Sequence, residues 1–313
     1  MAAPKVLVTD RLPEDAKKVL SGFDVFEKDA DDKVLADCRA LICWPSRAKP
    51  ELLQKMKTLK MIQTISAGVD GLDFGSLTPG VLVFSNAGAF SDTVAEHAWG
   101  LLLGIAKGIH LRSAKSTPRA LRGKTLLIVG AGGIGTEVAR LAKSLGMRTI
   151  GVSRSFKARN TFDEAHSISS LGDAVSVADA LVITLPLTRA TEGIINYGLL
   201  SRAKENAIVV NVGRGETVDE SGLVRWLRER PESRFATDVF WKQGGREVFS
   251  TKAWDLPNFA GTLHVSGTPI GEDLQGPKIA AATNVRRFFE SGNALNRVEI
   301  SEYLQKPRRP HRG

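Results

Sequence analysis

The sequence predicts an α/β protein with two doubly wound parallel-sheet domains. Short apolar runs alternate with helical patterns along most of the chain, and 313 residues suit about two domains. Hydrophobic residues make up 42% and charged residues 25%, which excludes disordered, collagen-like and disulfide-scaffold classes. The sequence contains neither an apolar run of membrane-spanning length nor a signal-peptide pattern, so we expect a cytoplasmic protein.

The predicted first domain is discontinuous. Its strand candidates, each followed by a helical pattern, are 5–10, 40–44 and 61–65. Two long helical patterns, 92–108 and 276–291, flank the middle of the chain, and the segment after the second must return to the first domain. We therefore expect a first domain of 1–90 with 269–313, and a second domain inserted at 91–268.

The predicted second domain shows the same alternation more strongly. Its six strand candidates are 125–129, 148–152, 180–185, 207–212, 234–239 and 259–265. Six parallel strands match a Rossmann-like, doubly wound sheet, which binds its ligand beyond the carboxyl ends of the strands.

A glycine motif, GAGGIG, lies directly between the first of these strands and a helical run. The first glycine permits a tight turn, the second lets the backbone approach a pyrophosphate, and the third allows close helix packing. The helix N-terminus then faces the anion. We expect a dinucleotide to bind at Gly130, Gly132, Gly133, Ile134 and Gly135.

The end of the second strand in this domain distinguishes NAD from NADP. NAD-binding domains of this type carry a carboxylate there, which accepts a hydrogen bond from the ribose 2′-hydroxyl. This chain carries Ser153, Arg154 and Ser155 instead, with Lys157 and Arg159 close by. Hydroxyl and guanidinium groups can hold a phosphate, so we expect NADP(H) to be preferred and NAD(H) to be possible. The alternative is a solvated basic loop.

Three further side chains each follow a predicted strand. Arg214 lies in NVGRG, Asp238 in TDVF, and His264 in GTLHVSG (Gly261–Gly267, the His264 loop), which places all three at one edge of the sheet. Reduction of a 2-keto acid needs a hydride, a proton and a cation for the carboxylate. A histidine can supply the proton, and an arginine can bind the carboxylate bidentately.

The chain resembles the D-isomer-specific 2-hydroxyacid dehydrogenase family over nearly its whole length. Its matching motifs, in the family's order, are SAGVDGLD (66–73), Asn86 with TVAEHA (93–98), GAGGIG, LPLTRAT (185–191), NVGRG, TDVF and the His264 loop. The resemblance implies that Arg214 binds the substrate, His264 is the acid/base, and Asp238 holds the nicotinamide carboxamide.

The resemblance also implies further binding residues. The substrate would meet Ala67, Gly68 and Val69. Besides the glycine motif and residues 153–155, the cofactor would contact Leu185, Pro186, Thr191, Val212, Gly213, Asp238 and His264. Arg47, after the second strand, is a candidate for a second anionic group of the substrate; an exposed, salt-bridging arginine is the alternative.

One position departs from the family pattern. Most members carry a Glu five residues after the Asp of TDVF, whereas this chain has Gln243, as formate dehydrogenases of the same superfamily do. We expect Gln243 to orient His264, with Glu247 as the alternative if Gly244 and Gly245 form a different loop. Phe90 stands where those enzymes carry a formate-binding Asn.

Three functions remain open from the sequence. The first is an NADP(H)-dependent oxidoreductase of a small 2-keto acid, such as a glyoxylate or hydroxypyruvate reductase. The second is an NAD-linked phosphoglycerate or formate dehydrogenase, and the third is a dinucleotide-sensing binding protein of the same fold. The net charge of +9 fits small anionic substrates. We expect a homodimer formed through the apolar helix 94–105, and neither a nucleic-acid partner, a membrane contact nor a metal site.

Overall fold

The computed structural model describes residues 3–111, 117–267 and 274–304. The chain divides into two compact units, each with its own parallel sheet. The first unit is Met1–Ala89 with Gly271–Gly313, and the second is Phe90–Ile270.

The elements alternate along the chain as the sequence predicts. The strands are β1 (Lys5–Val8), β2 (Asp24–Glu27), β3 (Cys38–Cys43), β4 (Met61–Thr64), β5 (Leu82–Phe84), β6 (Thr125–Ala131), β7 (Arg148–Phe156), β8 (Glu164–His166), β9 (Ala180–Ile183), β10 (Ile208–Asn211), β11 (Arg234–Thr237), β12 (Lys242–Gln243), β13 (Arg246–Glu247) and β14 (Phe259–Gly261). The helices are α1 (Glu14–Val19), α2 (Asp32–Asp37), α3 (Pro50–Lys55), α4 (Ser91–Lys107), α5 (Gly133–Ser144), α6 (Leu171–Val177), α7 (Tyr197–Leu200), α8 (Glu220–Glu229) and α9 (Gln275–Ser291).

The sheet of the first unit is parallel, in the order β2-β1-β3-β4-β5. Alternate residues of its central strands enter two separate cores: Leu41 and Ile62 lie in one, Ala40 and Met61 in the other. Burial on both faces is why these strands are continuously apolar and easily recognised. The edge strand β2, in contrast, is only partly buried and begins and ends with acidic residues, so its sequence does not stand out.

The sheet of the second unit has the order β14-β11-β10-β9-β6-β7-β8, and its strands are all parallel. Counted along the chain, this is the 3-2-1-4-5-6 order of a dinucleotide-binding sheet with one more strand. The six predicted strands are present, and the seventh, β8, was missed because its three residues, Glu-Ala-His, are mostly polar. The predicted α/β class with two Rossmann-like parallel sheets is confirmed.

Helix α4 packs against the second sheet and against α5. Its buried residues Val94, Ala98, Leu102 and Ile105 belong to the core shared with β6, β9 and β10, and Trp99 Nε1 donates to the carbonyl oxygen of Val138 on α5 (3.2 Å). The sheet and α5 therefore supply the two partners that a helix apolar on most faces requires. The homodimer stays a prediction.

Neither a membrane span nor a metal cluster occurs among the described residues. None of their helices combines the length and apolar character needed to cross a bilayer. Likewise, no three His, Cys, Asp or Glu side chains within those ranges come close enough to hold a metal ion.

Candidate active site

The glycine turn (residues 130–135) joins β6 to α5. Glycine is required at each of its three motif positions for a different structural reason. Gly130 has φ +106°, and a Cβ there would lie 2.8 Å from Thr184 Oγ1. A Cβ on Gly135 would collide with the carbonyl oxygen of Gly130, whereas one on Gly132 would have no atom within 4 Å. Gly132 therefore leaves open space directly before the N-terminus of α5, as the approach of a pyrophosphate requires.

The turn lies at the point where the strand order reverses, between β6 and β9. Thr184, which follows β9, donates its hydroxyl hydrogen to the carbonyl oxygen of Gly130 (2.7 Å) and ties the two loops together. Within the next loop, Thr191 Oγ1 donates to the carbonyl oxygen of Pro186 (2.6 Å) and accepts from the N–H of Thr188 (2.8 Å). Leu185 is buried and Pro186 is exposed, so Pro186 is the predicted cofactor residue that offers accessible surface here.

The basic segment predicted to read the ribose phosphate lies beside the glycine turn. Strand β7 extends to Phe156, which pairs with Ala131 at the end of β6. Ser153 is partly buried, and Arg154 and Ser155 are exposed. The sequence 153–160 contains no carboxylate. Arg159 is engaged elsewhere, since its guanidinium lies 5.0 Å from the ring centroid of Phe156 and donates to a backbone carbonyl.

Arg214 follows β10 in a tightly fixed loop. Its carbonyl oxygen accepts hydrogen bonds from Asn211 Nδ2 (3.0 Å) and Thr217 Oγ1 (2.7 Å). Gly213 and Gly215 allow this loop to pass close to its neighbours, because a Cβ on either would collide with backbone of the Leu185 or Phe240 segment. Val212 beside them is buried, so it meets a ligand only through its backbone or a small part of its side chain.

His264 follows β14 and forms a close pair with Glu247. Its Nδ1 lies 2.5 Å from Glu247 Oε2, and Glu247 Oε1 accepts from the N–H of Phe240 (2.6 Å). A carboxylate only accepts hydrogen bonds, so Nδ1 carries the hydrogen of this contact. Nε2 is thus the nitrogen left for a substrate, on a side chain that remains 41% exposed.

Glu247, and not Gln243, partners His264, so the expectation for Gln243 was wrong. Strands β12 and β13 form a hairpin in which Gln243 pairs with Arg246. Gly244 and Gly245 have φ of +58° and +79°, as a two-residue type I′ turn requires. This turn folds the chain back and brings Glu247 to the ring, while Gln243 is exposed in a groove beside α8. The Gly-Gly pair was the sequence signal for the hairpin.

Asp238 follows β11 and is used to hold the His264 loop. Its Oδ1 accepts from Thr262 Oγ1 (2.7 Å) and from the N–H of Val265 (3.0 Å), and its Oδ2 accepts from the N–H of Ser266 (3.0 Å). The side chain is 0% exposed. In this structure both carboxylate oxygens accept hydrogen bonds from the loop, and the contact of Asp238 with a nicotinamide carboxamide stays a prediction.

The predicted substrate residues of the first unit follow β3 and β4. Ser66 Oγ donates to the carbonyl oxygen of Gly68 (2.7 Å), which shapes the turn containing Ala67. The side chain of Val69 is buried in the core, so this position offers a ligand its backbone only. Arg47 ends a short 3-10 turn and is exposed. The substrate-binding role of these residues stays a prediction.

The second unit has the strand order, glycine turn and histidine–carboxylate pair of a dinucleotide-dependent oxidoreductase. A family model described as "D-isomer specific 2-hydroxyacid dehydrogenase, NAD binding domain" matches residues 83–266. This match covers more than half of the chain, and the chain belongs to that family. Its members, as the name states, are dehydrogenases of 2-hydroxy acids, and the cofactor class is a nicotinamide dinucleotide.

Individual relatives agree with this assignment. A glyoxylate reductase from Thermococcus kodakarensis is 31% identical over 296 residues, which are 86% of this chain and 88% of the relative. A structure from Pyrobaculum aerophilum, provisionally assigned as a formate dehydrogenase, is 32% identical with a TM-score of 0.82 and covers 96% of this chain and 100% of its own. The chloroplastic D-3-phosphoglycerate dehydrogenase 2 of Arabidopsis thaliana is 30% identical over 77% of this chain, but this chain spans only 42% of that protein.

Proposed function

We propose that this protein reduces a small 2-keto acid to the 2-hydroxy acid with NADP(H), as a glyoxylate or hydroxypyruvate reductase does. The observation that carries the proposal is the His264–Glu247 pair (2.5 Å), which leaves Nε2 of the histidine for the substrate. Arg214, His264 and the glycine turn each follow the carboxyl end of a strand in one parallel sheet. They therefore share the edge at which such sheets bind their ligands.

Each residue has a defined part in this reduction. A nicotinamide dinucleotide, when bound at the glycine turn, would supply the hydride for the carbonyl carbon. Nε2 of protonated His264 gives its proton to the carbonyl oxygen as the electron pair of the C=O bond moves onto that oxygen. Glu247 accepts the hydrogen bond from the Nδ1–H of His264 and so fixes the orientation of the ring, and the Arg214 guanidinium binds the substrate carboxylate and polarises the carbonyl.

The preference for NADP(H) is supported by the exposed end of β7. Ser153, Arg154 and Ser155 lie on the strand next to the glycine turn, at a position where an NAD-specific sheet presents a carboxylate. A carboxylate there would repel a 2′-phosphate, whereas a guanidinium with two neighbouring hydroxyls can bind it.

The contact of Glu247 with His264 also bears on two of the alternatives drawn from the sequence, the formate dehydrogenase and the sensor. Gln243 was one of two reasons for considering a formate dehydrogenase, the other being the sequence HVSGT (264–268), and the altered Glu position was the best argument for a sensor. A carboxylate beside His264 weakens both arguments, and it supports the hydroxy-acid chemistry proposed here.

The proposal is tested by a substrate panel with both cofactors. Glyoxylate, hydroxypyruvate and phosphohydroxypyruvate are assayed for reduction, and formate for oxidation, each with the NADP and the NAD couple. We expect 2-keto acid reduction with kcat/KM at least about tenfold higher for NADPH than for NADH, the effect of one strong charge-assisted contact. Absence of turnover with every keto acid would refute the reductase, and equal use of NADH would refute the cofactor preference.

Arg154→Asp is the matched variant in the same panel. It should reverse the preference toward NADH, because it replaces a phosphate-binding cation by the carboxylate of an NAD site. Arg228→Asp makes the same charge change on α8, outside the segment next to the glycine turn, and should leave the cofactor preference unchanged.

A further inference from the structure

A chain of hydrogen bonds connects helix α4 with the His264 loop. His97, in the second turn of α4, has its Nε2 2.7 Å from Thr262 Oγ1. Thr262 Oγ1 in turn donates to Asp238 Oδ1 (2.7 Å), and the same carboxylate holds the N–H groups of Val265 and Ser266. The single hydrogen of the threonine hydroxyl is used on the carboxylate, so Oγ1 accepts from His97 and Nε2 of His97 carries a hydrogen.

The backbone that these bonds hold is one that a histidine rarely adopts. His264 has φ +52°, in the left-handed region. Such a conformation in a residue other than glycine costs about 1 to 2 kcal/mol and persists only where surrounding contacts impose it. Asp238 provides those contacts: its carbonyl oxygen accepts the N–H of His264 (2.8 Å), and its carboxylate accepts those of the next two residues.

The Asp238 carboxylate therefore holds the loop, and Thr262 and His97 are the side chains that contact it from outside the 264–266 backbone. Asp238 is fully buried and cannot exchange its partners for water. Two of the three hydrogen-bond donors to the carboxylate belong to the loop backbone, and the third is the Thr262 hydroxyl, which contacts His97. His97 Nε2 itself lies 3.6 Å from Asp238 Oδ1, beyond hydrogen-bonding distance. The contact of His97 with Thr262 was not recognisable from the sequence, because the two residues are 165 positions apart.

We propose that His97 is a positioning residue for His264, acting through Thr262 and Asp238. It does not touch the reacting atoms; its imidazole N–H keeps the loop in the conformation that presents His264 to Glu247 and to the substrate. This proposal rests on the proposed function, because the placement of His264 affects turnover only if His264 is the acid/base of the reduction.

Two substitutions of His97 separate this role from simple packing. Glutamine can place its amide Nε2 near the position of the imidazole Nε2, whereas the amide of asparagine reaches only the level of Nδ1. We expect His97→Gln to keep kcat within about threefold of the wild-type value. His97→Asn should lower kcat by about tenfold or more, because it loses one hydrogen bond in a network that contains a charged group. The KM for NADPH should be unchanged in both variants. Glu96→Gln, an exposed neighbour on α4, serves as the unchanged control.

A double variant tests the path through Thr262. Thr262→Val removes the hydroxyl that links the two side chains, so His97→Asn should cause no further loss in its presence. If His97→Asn fails to fold, kcat is compared between Thr262→Ser, which keeps the linking hydroxyl, and Thr262→Val, which removes it. Only Thr262→Val should then lower kcat. Equal kcat losses in His97→Gln and His97→Asn, or additive losses in the double variant, would overturn the proposal.

A second measurement does not depend on turnover. The hydrogen between His264 Nδ1 and Glu247 should give a downfield imidazole N–H resonance in the proton NMR spectrum of the protein with NADPH. We expect it to persist in His97→Gln and to broaden or vanish in His97→Asn. If the wild-type protein reduced no keto acid while this resonance responded as expected, the proposed function would fail and the positioning role would stand. A resonance unaffected in both variants would refute the positioning role whatever the activity.

Discussion

Two loops at the same edge of one sheet are built in opposite ways. The shape of the glycine turn is determined by its backbone. Gly130, Gly132 and Gly135 lie within six residues, and glycine is needed there because of a positive φ, open space for a ligand and a close backbone contact, respectively. The His264 loop is held by side chains that come from distant segments, Asp238 and Glu247 upstream and His97 on α4. Backbone geometry is encoded locally, whereas the second loop exists only once the whole unit has folded.

The two constructions should respond differently to the loss of one side chain. The glycine turn needs small residues for its shape and binds through N–H groups, so few single side chains control it. The His264 loop delivers one imidazole, and removing that group should abolish the chemistry while leaving the dinucleotide site intact.

The largest expected effect is that of His264→Ala on turnover. Loss of a positioned general acid lowers kcat by about 10² to 10⁴. NADPH affinity, measured by fluorescence titration, should change by less than about threefold, because the glycine turn is in another loop. Full activity in this variant would remove the dehydrogenase mechanism, and parallel loss of NADPH binding would show that the two loops are not independent.

The second effect concerns stability, and it contrasts two glycines of the same turn. Gly135→Ala forces a methyl group against the carbonyl oxygen of Gly130, so it should lower the free energy of unfolding by about 1 to 3 kcal/mol. Gly132→Ala meets no atom within 4 Å, so it should unfold at the wild-type denaturant concentration and weaken NADPH binding instead. Equal stability losses in the two variants would contradict the separate roles assigned to these glycines.

What the sequence could predict follows the same division. The strands buried on both faces, the glycine turn and the two long helices α4 and α9 have causes within a few neighbouring residues, and they are where expected. The edge strand β8 has no such local cause, since it is short and polar and pairs only with β7.

The error within the site, at Gln243, has a physical reason as well. Choosing Gln243 required counting residues from Asp238, but the Gly244–Gly245 turn reverses the chain and moves the partner of His264 four residues along. The role of Asp238 in holding the His264 loop was not recognisable either, because its donors Thr262, Val265 and Ser266 lie in the loop after a later strand.

The smallest expected effect is on kcat, in variants that test the β12–β13 hairpin. They exchange Glu for Gln at residue 247 and Gln for Glu at residue 243. Glu247→Gln keeps the shape of the side chain but leaves only one oxygen to serve two donors, the Nδ1 hydrogen of His264 and the N–H of Phe240. The ring loses a fixed orientation, and we expect kcat for keto-acid reduction to fall by about tenfold while NADPH affinity is retained.

Gln243→Glu is the matched exchange, and it should leave kcat unchanged because this side chain is exposed and does not contact His264. The double variant with Glu247→Gln should be as slow as Glu247→Gln alone, since a carboxylate at residue 243 stays on the wrong strand of the hairpin. Steady-state kinetics of the three variants decide the matter. Recovery of activity in the double variant would mean that the chain reaches His264 through residue 243, and the two-glycine turn would then not set the register of this site.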